Sequence, residues 1–210
     1  MQIFYGLLLI HILCGSVSMS CSLAAIATKK GGQQHRKYGR YFFYGMTGIL
    51  LTAIPMAIIK SNLFLFLIAV FSYYLAYSGL RYARRRDQKP SKTDWCVSLI
   101  MILASISMIL TGFLLYDIKN FHGQVLIVFG LLGASFSLND FRLFSKGSLP
   151  YPIRISRHLA AMLGGTIAAY TAFLVTNVSF NPPIVLWLGP TVLITPLIIY
   201  WTNKVEKKPY

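Results

Sequence analysis

Acidic residues are scarce in this chain. Five of its 210 residues are Asp or Glu, against twenty Lys and Arg. Asp87, Asp94, Asp117, Asp140 and Glu206 fall at the ends of apolar runs or between them, so no carboxylate is expected near the centre of a run. That weighs against cation-coupled transport of the usual kind, in which a buried Asp or Glu carries the proton or sodium ion. Cysteine is scarce as well. Cys14, Cys21 and Cys96 cannot build a disulfide framework. Cys14 and Cys21 are seven apart on one helix, roughly 10 Å in rise, too far to bridge each other. No Cys-x2-Cys or His-x3-His spacing offers a tetrahedral zinc site. Also missing are a nucleophile elbow, a phosphate loop, a nucleotide-binding glycine pattern and paired catalytic carboxylates, so no catalytic residue is assigned. Lys30-Gly31-Gly32 reads as a flexible turn.

What the chain does have is apolar length. Its composition is 56% hydrophobic and 12% charged, too little polar surface for a water-soluble domain of this size. Apolar runs lie at about 3–28, 41–59, 63–80, 95–116, 121–138, 158–178 and 183–201. Each is long or nearly long enough to cross a bilayer as a helix. The expected fold is an all-α integral membrane domain of seven transmembrane helices over residues 1–210. The first run lacks a basic leader and continues to Lys29 and Lys30, so it is expected to stay as a membrane helix and not act as a signal peptide.

Charge alternates sharply between the connections. Those at 29–40, 81–94 and 139–157 and the tail from 202 hold 5, 6, 4 and 3 basic residues, while the opposite connections hold only Lys60 and Lys119. The positive-inside rule then places the N-terminus outside and the C-terminus in the cytoplasm. A net charge of +15 with a pI near 9.9 is thereby assigned to orientation and to contact with anionic lipid head groups, not to nucleic acid. The densest patch, Arg81, Arg84, Arg85, Arg86, Lys89 and Lys92, is also a candidate docking site for a membrane-protein partner. Tyr38, Tyr41, Tyr44, Tyr73, Tyr74, Tyr77, Tyr82, Trp95, Tyr200 and Trp201 fit an aromatic belt at the cytoplasmic interface. All connections are too short for a soluble catalytic domain. Function is therefore expected inside the bundle or on its two rims.

Two spans have distinctive composition. The sixth carries the small-residue rows Ala161–Gly165–Ala169 and Gly164–Ala168–Ala172, which predict close packing and a central place in the bundle. The seventh carries Pro190 and Pro196, each removing a backbone hydrogen bond and bending the helix. A parallel 3+1+3 repeat is suggested by His11 with Ser20-x-Ser22-Leu23 and His122 with Ser135-x-Ser137-Leu138.

The histidines are the strongest candidates for chemistry. His11 lies about 12 Å inside the first span by helical rise. Gly15, Ser18 and Ser22 follow at spacings of four, three and four on the same face. This stripe suits a helix contact or a small polar cavity in the outer half, with Asp117 and His122 near its mouth. The readings left open for His11 are interhelical hydrogen bonding, ligand contact, proton relay and haem ligation. His35 in the first basic loop and His158 at the start of the sixth span form an inner pair, matching an outer pair of His11 and His122. The arrangement resembles transmembrane b-type cytochromes that stack two haems across the bilayer. The simpler reading for His35 and His158 is interfacial hydrogen bonding to loops or lipid phosphate.

Two sequence blocks carry a wider resemblance. Lys29-Lys30-Gly31-Gly32-x-x-His35-Arg36-x-x-Gly39-Arg40-x-Phe42-Phe43 resembles the first hairpin of a bacterial family of predicted multi-pass membrane proteins of unknown function. Arg157-His158-Leu159-x-x-Met162-x-Gly164, with Thr171-Ala172-Phe173-Leu174-Val175-x-Asn177, resembles its later block. The resemblance implies a bacterial inner-membrane protein and no established activity. It singles out His35, Arg36, Arg40, His158 and Asn177 as candidates for the cytoplasmic rim, with Gly39 and His11 beside them. The expected function is binding or moving a small molecule within the bundle, or supporting a membrane complex, alone or as a homo-oligomer. The alternative is a redox protein holding haem b through paired histidines.

Overall fold

The computed structural model describes residues 2–84, 89–116 and 121–207. Asp117, Asp87, Lys119, Arg85 and Arg86 lie outside the described residues. Seven helices follow one another: α1 Gln2–Ala27, α2 Gln33–Ile59, α3 Leu63–Arg84, α4 Lys92–Leu114, α5 His122–Ser145, α6 Tyr151–Asn177 and α7 Ile184–Glu206. All seven are long and apolar enough to span a membrane, and no strand occurs among the described residues. Leu51, Leu114, Leu193 and Val192 are each at least 65% exposed on the outside of the bundle. So much bare aliphatic surface suits lipid and not water.

The helices overrun the apolar runs at one end. α2 begins at Gln33 and not near 41, α5 continues to Ser145 and not 138, and α6 begins at Tyr151 and not 158. Gln, Arg and Lys are good helix formers, so a helix need not stop where hydropathy does. Gly31, with φ of +75°, makes the tight turn that lets α2 begin so soon after α1. His35, Asp140 and His158 are consequently helical residues, not loop or end positions.

Successive helices alternate in direction. Contacts at one end join Lys30 to Trp201, His35 to His158 and Tyr82 to Asp140. At the other end they join Phe4 to Lys60 and Phe64 to His122. The first end collects the basic connections and is called the basic end below.

The centre is α3, not α6. α3 packs against α2, α4, α5 and α6, and half of its apolar window is buried. Its Leu67, Phe71, Tyr74 and Leu75 join Met101, Met108 and Leu126 in the main core. α6 packs on α3, α7 and α1. The glycines of α6 are not the tightest contacts: Cβ atoms at Gly164 and Gly165 would meet neighbours at 3.4 Å, an ordinary contact. α1 packs along α2, whereas α5 packs along α4 and not along α6, so backbone pairing does not follow a 3+1+3 plan.

The closest approaches to a neighbouring helix's backbone carbonyl lie in those two flanking pairs. A Cβ at Gly45 of α2 would stand 2.8 Å from the Cys14 carbonyl oxygen of α1. One at Gly123 of α5 would stand 2.8 Å from the Gly112 carbonyl oxygen of α4. Gly45→Leu should therefore cost roughly 1–3 kcal/mol through overpacking. Gly15→Leu should be nearly neutral, because nothing lies within 4 Å of a Cβ there. Unfolding midpoints and monodispersity in detergent measure both. Equal tolerance at the two positions would remove the close α1–α2 contact.

Candidate functional site

The residues expected to line an outer cavity do not converge. His11 Nδ1 lies 2.9 Å from Thr52 Oγ1 of α2. The Thr52 hydroxyl already donates to the Gly48 and Ile49 carbonyls, so His11 is the donor in that bond. Ser18, fully buried, donates to the Phe42 carbonyl at 3.1 Å. Ser22 bonds its own helix at the Met19 carbonyl, which also accepts from Tyr170 of α6. Gly15 faces open space. His122 stands edge-on to Phe64 with ring centroids 4.7 Å apart, on a helix that does not pack against α1. The polar face of α1 is thus spent on helix contacts, and the outer histidines are not a pair.

Asn177 is corrected in position. It ends α6 on the side away from the basic end, about 28 Å from His158 by helical rise. Its amide donates to the Phe173 carbonyl and to Thr176. Arg36 and Arg40 are at the basic end and exposed, as a solvated or lipid-phosphate-facing pair would be.

At that same end the structure assembles a polar layer whose centre the sequence did not reveal. Asp140, 1% exposed, accepts from Tyr74 Oη at 2.7 Å, Tyr82 Oη at 2.6 Å and Arg157 Nη2 at 3.0 Å. Tyr74 and Tyr82 are 3% exposed, so they belong to the core and not to the aromatic belt. Their spacing with Ser78, four and four, puts a polar row on one face of α3. That row was the available signal. Beside it, Arg81 forms a two-pronged pair with Asp94 at 2.8 and 3.0 Å, and Asp94 also closes a capping box with Ser91 at the start of α4. Arg81 therefore does not belong to the free basic patch. Two cavities flank Asp140, of about 10 and 20 Å³. Each has room for about one water molecule. This cluster ties α3 to α4, α5 and α6 and is too full to take a substrate.

The histidine pair is different. Helix dipoles leave partial negative charge on the carbonyl ends of α1 and α3, both of which end here. Lys30 reaches the Ala25, Ile26 and Thr28 carbonyls, and His35 Nδ1 lies 3.0 Å from the Ala25 oxygen. His158 Nδ1 lies 2.7 Å from the Gly79 oxygen of α3. A carbonyl can only accept, so Nδ1 carries the proton in both rings. Each Nε2 is then a bare lone pair. The two ring centroids are 6.2 Å apart with planes at 87°.

Ring centroids 6.2 Å apart with nearly perpendicular planes are an edge contact in the ordinary aromatic range, and it brings an imidazole of α2 against one of α6. Gly39, one turn after His35, and Gly79 keep the neighbouring backbones bare, and the flexible side chain of Met162 lies against both. Among the described residues, no group of three or more His, Cys, Asp or Glu gathers to hold a metal ion. Two imidazoles complete a coordination shell only if the ligand supplies the remaining donors. A haem would supply them, with His35 and His158 as the residues that would hold it.

No family model matches the chain, and neither does any curated protein or solved structure.

Proposed function

We propose that this protein is a multi-pass inner-membrane haem protein of the redox class, holding one haem b between His35 and His158 near the cytoplasmic face. The observation that carries the reading is the pair itself: two imidazoles from α2 and α6 in edge contact, 6.2 Å between ring centroids, with both Nδ1 atoms committed to carbonyls. Haem would supply one-electron chemistry there, and His35 and His158 would hold it. The Ala25 and Gly79 carbonyls fix the two tautomers and raise the basicity of each Nε2. Met162 packs against Gly39 and Gly79, and the Gly79 carbonyl of α3 anchors the His158 ring.

The reading is for one haem and not a stack of two. His11 is bonded to Thr52, and His122 lies on a helix that does not pack against α1. Small-molecule binding by the outer face of α1 has less support, because Ser18 and His11 already have partners in α2. Titration of haem into the purified protein tests the proposal. A sharp Soret band at one equivalent supports it, and absence of any specific band removes it in favour of a different small-molecule ligand or a scaffolding role.

The orientation follows from the basic end facing the cytoplasm, where anionic lipid head groups meet Arg36, Lys37 and Arg40. Single cysteines placed at Lys60 should react with impermeant reagents added outside intact cells. Those placed at Lys146 should react only after permeabilisation. The reverse pattern would put His35 and His158 on the outer side.

A further inference from the structure

Two buried serines have no hydrogen-bond partner among the described residues. Ser78 of α3 is 8% exposed and Ser98 of α4 is 1% exposed. Ser72 and Ser137, by contrast, bond carbonyls of their own helices. A buried hydroxyl without a partner is costly, so what lies beside these two matters.

Both open on the cavities at Asp140. The smaller, of about 10 Å³, is lined by Ser78 and Ser98 together with Tyr77 and Asp94. The larger, of about 20 Å³, is lined by Ser78, Tyr74 and Arg157. Ser78, Tyr82 and Asp140 line both. Charge here is balanced, because Arg81 neutralises Asp94 and Arg157 neutralises Asp140. That favours a neutral occupant over a cation or an anion. Size narrows it to water, which needs about one probe sphere of room and roughly two to four polar neighbours. Asp140 keeps acceptor capacity for it: the carboxylate takes bonds from Tyr74, Tyr82 and Arg157 and offers about four sites.

We propose that each cavity binds one ordered water and that Ser78 joins the two into a hydrogen-bonded chain, from Ser98 on α4 through α3 to Asp140 on α5. The waters are ligands of the fold. They satisfy two hydroxyls that the protein leaves unmatched and carry the polar layer across three helices. Neither His35 nor His158 lines either cavity, so the inference stands apart from the haem reading.

Removing the hydroxyls separates wet cavities from dry ones. Ser105 supplies the reference, since it is fully buried, its Oγ has no partner and it lines neither cavity. Ser105→Ala therefore relieves a lone hydroxyl, and a serine-to-alanine change brings the same helix propensity at all three positions. With waters bound, Ser78→Ala and Ser98→Ala should each unfold roughly 2–4 °C below Ser105→Ala in detergent, the shift expected for about one hydrogen bond in a chain of this size. A midpoint equal to or above that of Ser105→Ala for either variant would mean a dry cavity and overturn the chain. Density for the wild-type protein at about 2 Å resolution gives the direct reading. A water peak within hydrogen-bond distance of Ser78 Oγ is expected in each cavity, and the absence of a peak from either one overturns the proposal.

Discussion

Haem affinity should fall by more than a hundredfold in His35→Ala and in His158→Ala, and the iron that still binds should be five-coordinate. The size follows from what is removed. Loss of a group that merely orients a metal ligand costs about 10- to 100-fold, so loss of the ligand itself costs more. Both single variants should behave alike, since each removes one of two equivalent Nε2 donors. His11→Ala is the control. It removes the bond to Thr52 and should lower stability by about 1 kcal/mol, in line with interhelical hydrogen bonds in membranes, with no spectral change. A haem spectrum untouched in either of the inner variants, or lost in His11→Ala, would contradict the site.

The second large effect is on stability. Asp140→Ala should destabilise the protein by about 3–5 kcal/mol, because it leaves the Arg157 guanidinium, only 20% exposed, without its counter-ion. What remains to Arg157 is the Phe136 carbonyl at 3.4 Å and the Tyr82 ring at 5.8 Å, both weak substitutes for a carboxylate. Tyr82→Phe removes one hydrogen bond and leaves the ion pair, so it should cost about 1 kcal/mol. The contrast separates the two contributions: hydrogen bonds between helices are individually small in a membrane, while an orphaned buried charge is not. Asp140→Ala combined with Arg157→Met should be less destabilised than the sum of the single changes, the signature of coupled partners. Thermal unfolding in detergent measures all four variants. A cost below 0.5 kcal/mol for Asp140→Ala, the scale of an ordinary surface change, would mean that the cluster does not hold α3, α5 and α6 together.

Seven spans were legible in the sequence because a bilayer demands long apolar helices and little else. Their ends were not. Hydropathy stops at the first charge, whereas the helix runs on through Gln33–Arg40, through Asp140 to Ser145, and back to Tyr151 before His158. That continuation turns a loop histidine into a helical one and a terminal carboxylate into a buried hub. The small residues of α6 suggested a central helix, yet the closest approaches to a neighbouring backbone carbonyl are at Gly45, Gly112 and Gly123. Composition along one helix cannot say which partner it meets.

The site was half legible. All four histidines stood out because ionisable groups are rare in these spans, and of the two pairs expected only His35 and His158 come into ring contact. His35 and His158 lie 123 positions apart, and nothing local states that α2 and α6 both begin beside the end of α3. Ser78 and Ser98 were unremarked, since a serine in an apolar span usually bonds its own helix. Their burial beside two cavities is a tertiary fact.

Electron paramagnetic resonance of the ferric haem complex tests the central claim most directly, because it reports which groups ligate the iron and how their planes are set. Two histidine nitrogens on one iron predict a low-spin signal, and planes near 87° predict strong anisotropy in it. A high-spin signal from wild type, or a low-spin signal unchanged in His35→Ala and His158→Ala, would contradict the account.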